Sequence, residues 1–131
     1  MKTRVVILFF SLIIAGGLIC RGLAWLVFER GVERADVSLI KLAKRLDPWV
    51  SDYAYEEYVL TDDLAPLERA IRLEPTKPVY HMYYGLKLID REPRTPESTQ
   101  MAVTQICQGA ELKPYSKTYR NACEEFRTAT P

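Results

Sequence analysis

Apolar residues crowd the N-terminus of this chain and then settle into a helical rhythm. Met1-Lys-Thr-Arg4 leads into an apolar run from Val5 to Ile19, and after Cys20, Arg21 and Gly22 a second run extends from Leu23 to Phe28. A helix over these 24 residues is about 36 Å long, enough to cross a bilayer. Arg21 is its single charge, close enough to one end to snorkel to the headgroups, and Trp25 and Phe28 fall where an interfacial aromatic belt would lie. A cleaved secretory signal is the competing reading, with its basic start and the small residues Ala15, Gly16 and Gly17. Ile19 stands where a lipoprotein site at Cys20 would need a small residue. Over its full length the segment reads as an uncleaved anchor, contacting lipid through residues 5–28 and occupying residues 1–30 of the chain.

Beyond the anchor the pattern changes to three- and four-residue steps. Val32, Ala35, Leu39, Leu42, Ala43 and Leu46 line one helical face. No proline interrupts residues 5–47, so the anchor is expected to run on to residue 46 as one rod, with Gly31 the one point where it could break. Further helices are predicted over 50–60, 63–73, 77–90, 97–112 and 115–127. Ser51 or Asp52 is placed to cap the first of these, and Asp62 or Asp63 the second. The two prolines of Arg91-Glu-Pro-Arg-Thr-Pro-Glu-Ser98 mark a long loop near 91–97.

Three of these segments share a sequence ending. Arg45-Leu-Asp-Pro48, Arg72-Leu-Glu-Pro75 and Glu111-Leu-Lys-Pro114 align on the proline. Eight positions earlier stand Ile40, Leu67 and Ile106; five earlier, Ala43, Ala70 and Gly109; two earlier, always Leu; five later, always Tyr (Tyr53, Tyr80, Tyr119). The first three columns share one helical face, with a small residue in the middle where another helix must come close. Proline stops that helix, and the tyrosine is the first core anchor of the next. Each unit is therefore the second helix of one hairpin, turned tightly into the first helix of the following one.

These features resemble the tetratricopeptide repeat family: the small residue, the Leu-x-Pro ending, the aromatic that opens the next helix, and Gly85 ten residues after Pro75. The resemblance covers roughly residues 35–127. It implies an all-α fold in which a single transmembrane helix precedes a short array of antiparallel helical hairpins over residues 31–131. The chain departs from the family in its proline spacings of 27 and 39, against a family period of about 34. It also has Asp36 and Asp63 where a small residue is expected twelve before the proline; only Ala102 conforms.

Charge and candidate chemistry narrow the function. The 18 Lys and Arg balance 17 Asp and Glu, which argues against a nucleic-acid partner. The cysteines (Cys20, Cys107, Cys123) and the single His81 have no metal-ligand spacing, so no metal site is expected. The acidic pairs Glu56-Glu57, Asp62-Asp63 and Glu124-Glu125 occupy adjacent helical positions that point apart, which predicts neither an active site nor a cofactor. His81 is expected to be partly buried at the surface. Cys107 and Cys123 flank the Pro114 turn and could face each other; a disulfide and two separate buried thiols are both consistent with the spacing.

All eight tyrosines fall in the helices expected after the prolines. In tetratricopeptide arrays such helices line a binding surface, so the resemblance implies a protein partner. Tyr53, Tyr80 and Tyr119 are expected in the core, leaving Tyr55, Tyr58, Tyr83 and Tyr84 as candidate partner-binding residues. The expected function is a non-enzymatic, single-pass membrane scaffold in a membrane or cell-envelope assembly. The alternative is an accessory subunit in fixed stoichiometry with a larger integral membrane complex. The basic tip (the α-amine, Lys2, Arg4) favours an extracytoplasmic C-terminal domain. The bias of Arg30, Arg34, Lys41, Lys44 and Arg45 points the other way, although folded domains translocate with less regard for charge.

Overall fold

The computed structural model describes residues 2–91 and 93–129, with side chains at residues 6–7 and from 11 onward. The basic tip of Met1, Lys2 and Arg4 lies outside those described side chains. Among the described residues the chain forms seven α-helices and no strand: α1 (Lys2–Arg34), α2 (Val37–Leu46), α3 (Ser51–Thr61), α4 (Leu64–Leu73), α5 (Pro78–Asp90), α6 (Pro96–Leu112) and α7 (Lys117–Ala129). The fold is all-α, one long apolar helix followed by an array of antiparallel hairpins. It divides into two compact units, α1–α3 (up to Thr61) and α4–α7 (from Asp62).

In the first unit α1 carries one stretch, Ser11–Arg34, long and apolar enough to cross a membrane. Val6, Ile7, Leu12, Ile13, Ile14, Leu18 and Ile19 are all exposed on it. The expected continuous rod does not form. The chain reverses at Ala35, a non-glycine residue at φ 50°. Ala35 N–H donates to the Val32 carbonyl and Asp36 N–H to the Gly31 carbonyl, at 3.2 and 2.9 Å. These are the two bonds of a Schellman termination. Asp36 then caps α2, accepting from the Ser38 amide at 2.9 Å and the Ser38 hydroxyl at 2.7 Å, which holds its carboxyl below its ordinary pKa.

Helix α2 folds back antiparallel along α1. Gly31 is buried beneath Ile40, where an added Cβ would lie 2.7 Å from Ile40 Cδ1 and 3.1 Å from Leu39 Cβ. Ala24, Ala43 and Tyr53 form the core, with Val27, Phe28, Leu46 and Val50 packed on it. Phe28, expected at the lipid interface, instead packs its ring against Tyr53 with centroids 4.6 Å apart. Ser51 and Asp52 lie inside the first turn of α3 rather than before it.

In the second unit Asp63 caps α4 through the Ala65 amide at 3.2 Å. Asp62, at φ 59°, forms an ion pair with Lys87. Pro78 and Pro96 each open a helix, where a missing N–H costs nothing. Thr95 and Ser98 complete a reciprocal capping box on α6 at 3.1 and 3.0 Å. The connection before α6 runs from Arg91 to Thr95, with Glu92 outside the described residues. Helices α5 and α6 pack closely because Gly85 lacks a side chain: a Cβ there would sit 2.6 Å from the Ala102 carbonyl oxygen and from Ile106 Cγ1.

The repeat columns acquire physical meaning here. Ile40, Leu67 and Ile106 are fully buried, as are Ala43 and Ala70, and Gly109 is buried with them. The backbone N–H of Asp47 returns to Ala43 and that of Glu74 to Ala70, ending α2 and α4 alike. The aspartates that break the family pattern are the caps of ten-residue helices. In the 17-residue α6 the same position is the buried Ala102, well inside the helix.

Candidate functional site

The four candidate tyrosines fall in different surroundings, two in each unit. On α3, Tyr55 is half-buried and Tyr58 is 8% exposed, their rings 6.2 Å apart. On α5, Tyr84 is half-buried and donates its hydroxyl to Glu68 Oε1 at 3.1 Å. Burial, reinforced by that carboxylate, raises its phenol pKa. Tyr83, its neighbour, is 43% exposed, and of the four it presents the most surface. Of the expected core tyrosines, Tyr53 and Tyr80 are buried and Tyr119 only half-buried. Tyr115 lies in the turn before α7, almost wholly exposed, rather than within a helix.

In the second unit a groove of about 1080 Å³ runs along α6. It is lined by two adjacent rows of α6 and its cap, Thr95, Thr99, Val103 and Cys107 in one and Gln100, Thr104 and Gln108 in the other, each at four-residue steps. Arg94 and Arg127 flank it, with Glu111 at the far end of α6. Its hydroxyl and amide groups can both donate and accept, and its guanidinium groups donate, which suits a peptide backbone. The sequence reading missed this stripe, because polar residues at helical spacing are indistinguishable from a solvated face until the neighbouring helix is placed.

Cys107 and Cys123 come together beside the groove, which Cys107 lines, as a disulfide between α6 and α7 with their Cα atoms 4.7 Å apart. Helix α7 has no fully buried residue, and this bond ties it covalently to α6.

His81 is not the surface histidine expected. It is 2% exposed, with Nδ1 2.8 Å from Gln105 Oε1 and Nε2 2.7 Å from the Pro75 carbonyl oxygen. The ring satisfies a carbonyl at the α4–α5 turn and links it to α6, a structural task. In the first unit Glu57, also buried, is held between Lys44 and Lys41. Neighbouring Glu56 is raised in pKa by burial and by repulsion from Asp52. Among the described residues no group of three His, Cys, Asp or Glu is gathered to hold a metal.

A second cleft, of about 530 Å³, belongs to the first unit. Leu18, Arg21, Gly22, Trp25 and Phe28 of α1 face Val50, Asp52 and Tyr53 across it. Arg21 Nε pairs with Asp47 Oδ2 at 3.6 Å beside it. Burial and the Asp47 carboxylate raise the Tyr53 phenol pKa.

Comparison with protein-family models gives no match, and comparison with curated proteins gives none.

Proposed function

We propose that this chain is a single-pass membrane scaffold of tetratricopeptide-like architecture that holds a protein partner in a membrane or cell-envelope assembly. The observation that carries this reading is the repeat itself. Three units separated by unequal spacings bury the same two columns of side chains, on a chain whose first helix is apolar enough to span a bilayer. Repeats of this kind present surface rather than chemistry, and in the second unit the groove along α6 and exposed Tyr83 on α5 each offer surface of that kind. The Cys107–Cys123 pairing supports an extracytoplasmic location for this part, since disulfides persist in oxidising compartments.

One feature favours the alternative of a fixed accessory subunit. Gly16, Gly17 and Gly22 have open space where a Cβ would be, and small residues on a membrane helix allow close approach of another. Gentle detergent solubilisation, capture by a C-terminal tag and mass spectrometry separate the two. A fixed-stoichiometry set of integral membrane proteins identifies an accessory subunit. Exchangeable, substoichiometric soluble proteins identify the scaffold, and recovery of the chain alone in repeated preparations argues against both.

A further inference from the structure

The groove along α6 is charged differently at its two ends. Arg94 precedes the cap of α6. Arg127 stands one turn beyond Cys123 on α7, which in an antiparallel pair joined at Cys107 brings it level with about Val103. Both guanidinium groups therefore belong to the N-terminal half of α6, and Glu111 to its last turn. Among the described residues Arg94, Arg127 and Glu111 form no ion pair, and the side-chain amides of Gln100 and Gln108 make no hydrogen bond. Gln100, Thr104 and Gln108 stand between the two ends, rising about 6 Å along the axis at each four-residue step. An extended peptide presents like-facing backbone groups every two residues, about 6.6 Å apart. The row therefore keeps pace with a strand, drifting by only about 1 Å between Gln100 and Gln108. Thr104 Oγ1 donates to the Gln100 carbonyl at 2.8 Å, so toward a ligand it accepts, whereas each amide both donates and accepts.

We propose that this groove binds an extended segment of a partner protein that carries acidic side chains at the end held by Arg94 and Arg127. This rests on the scaffold reading and adds the chemistry of the segment held. From Arg94 to Glu111 the groove follows α6 for about 25 Å, which a strand covers in about eight residues. Charge complementarity selects the occupant. Carboxylates at the arginine end can accept the paired N–H groups of either guanidinium, whereas basic side chains there would meet two cations. A uniformly anionic polymer is disfavoured by Glu111 at the far end. A sugar would find no aromatic face to stack on, since no aromatic ring lines the groove among the described residues. Tyr83, the exposed tyrosine of α5, is not part of this surface.

The test applies the full-length protein, in detergent micelles, to an array of immobilised octapeptides of varied sequence. One set carries a pair of Glu at one end, a second a pair of Lys there, and a third neither, each in both chain directions. Retention on the Glu set is expected. R94E/R127E is expected to weaken it by about tenfold or more and to move retention to the Lys set. Q100A/Q108A, and N-methylation of alternate backbone nitrogens in a retained peptide, are each expected to weaken binding while keeping the preference for Glu. Arg94, Gln100 and Arg127 are exposed and Gln108 half-buried, so helix content by circular dichroism should be kept in both variants. Absence of retention on every set, or retention unchanged by both variants, overturns the peptide groove. Retention of a sulfated polysaccharide in place of the Glu peptides overturns it as well. Capture of tagged R94E/R127E from native membranes separates the groove from the scaffold. A partner still held at full yield leaves the scaffold standing and removes the groove, whereas an unaltered chain that recovers no partner overturns both.

Discussion

Arg21 on α1 and Asp47 at the end of α2 approach to 3.6 Å across the first hairpin, joining a helix with an exposed apolar surface to a segment that packs as a soluble fold. The pair matters more for register than for energy. Arg21's side chain is 75% exposed, and exposed pairs contribute at most about 1 kcal/mol. R21M is therefore expected to leave thermal unfolding in detergent nearly unchanged.

Ala35 holds a left-handed conformation without glycine's freedom. That conformation costs an L-residue about 1–2 kcal/mol, partly offset by the greater entropy glycine loses on folding. A35G is expected to stabilise the first unit by about 0.5–1 kcal/mol, seen as a higher denaturant midpoint with an unchanged slope.

Gly85 and the glycines of α1 should respond in opposite ways to alanine. A Cβ at Gly85 meets backbone atoms of Ala102 and Ile106, which forces α5 and α6 apart at a cost of about 1–3 kcal/mol. At Gly16 and Gly17 the space is open, and G16A or G17A should leave helix content by circular dichroism the same or higher. A loss of stability at those two positions in native membranes, absent in detergent, would reveal a helix packed on them.

Removing Glu57 leaves Lys44, 21% exposed in its side chain, without its buried partner. E57A is expected to cost about 1–3 kcal/mol, and the K44A/E57A pair less than the sum of the single variants, measured as a double-mutant cycle by urea unfolding.

Reduction of Cys107–Cys123, or C107S/C123S, opens a loop whose ends are 16 residues apart, which the chain-entropy account values at about 3 kcal/mol. Since α7 has no fully buried residue, hydrogen exchange is expected to accelerate throughout α7 while the α5–α6 pair keeps its protection.

Tyr53, Tyr84 and Tyr119 all have raised phenol pKa values, each chiefly through burial. A raised folded-state value favours the protonated form, so their contribution is complete below the unfolded value of about 10 and is lost as pH rises through the folded values. Alkaline titration should show tyrosinate absorbance appearing late and together with loss of helical signal. Y84F, which removes the Glu68 bond, tests Tyr84's share.

The repeat was legible because burial leaves a periodic trace: Ile40, Leu67 and Ile106 stand in one column of the sequence and lie in the interior of the fold. The break between α1 and α2 was hidden because its Schellman turn uses Ala35, where a glycine would have announced it, and Gly31 four residues earlier marks a helix contact instead. Asp36 and Asp63 looked like faults in the repeat because helix length, which decides whether that position is a cap or an interior site, is not written in the column. The groove on α6 and the burial of His81 depend on which helices become neighbours, and no local pattern carries that information.

The Gly31–Ile40 contact decides how α2 is held against the end of α1. Had a flexible linker followed the span, the helices beyond it would sweep a volume set by chain statistics. With α2 seated on Gly31, on the proposed reading of α1 as a membrane span the surface that α2 and α3 carry would ride at one height and one bearing above the bilayer. For the proposed scaffold, encounters would then become a search in two dimensions, made by lateral diffusion of the anchor, and a ligand placed a few ångströms too high would never be met.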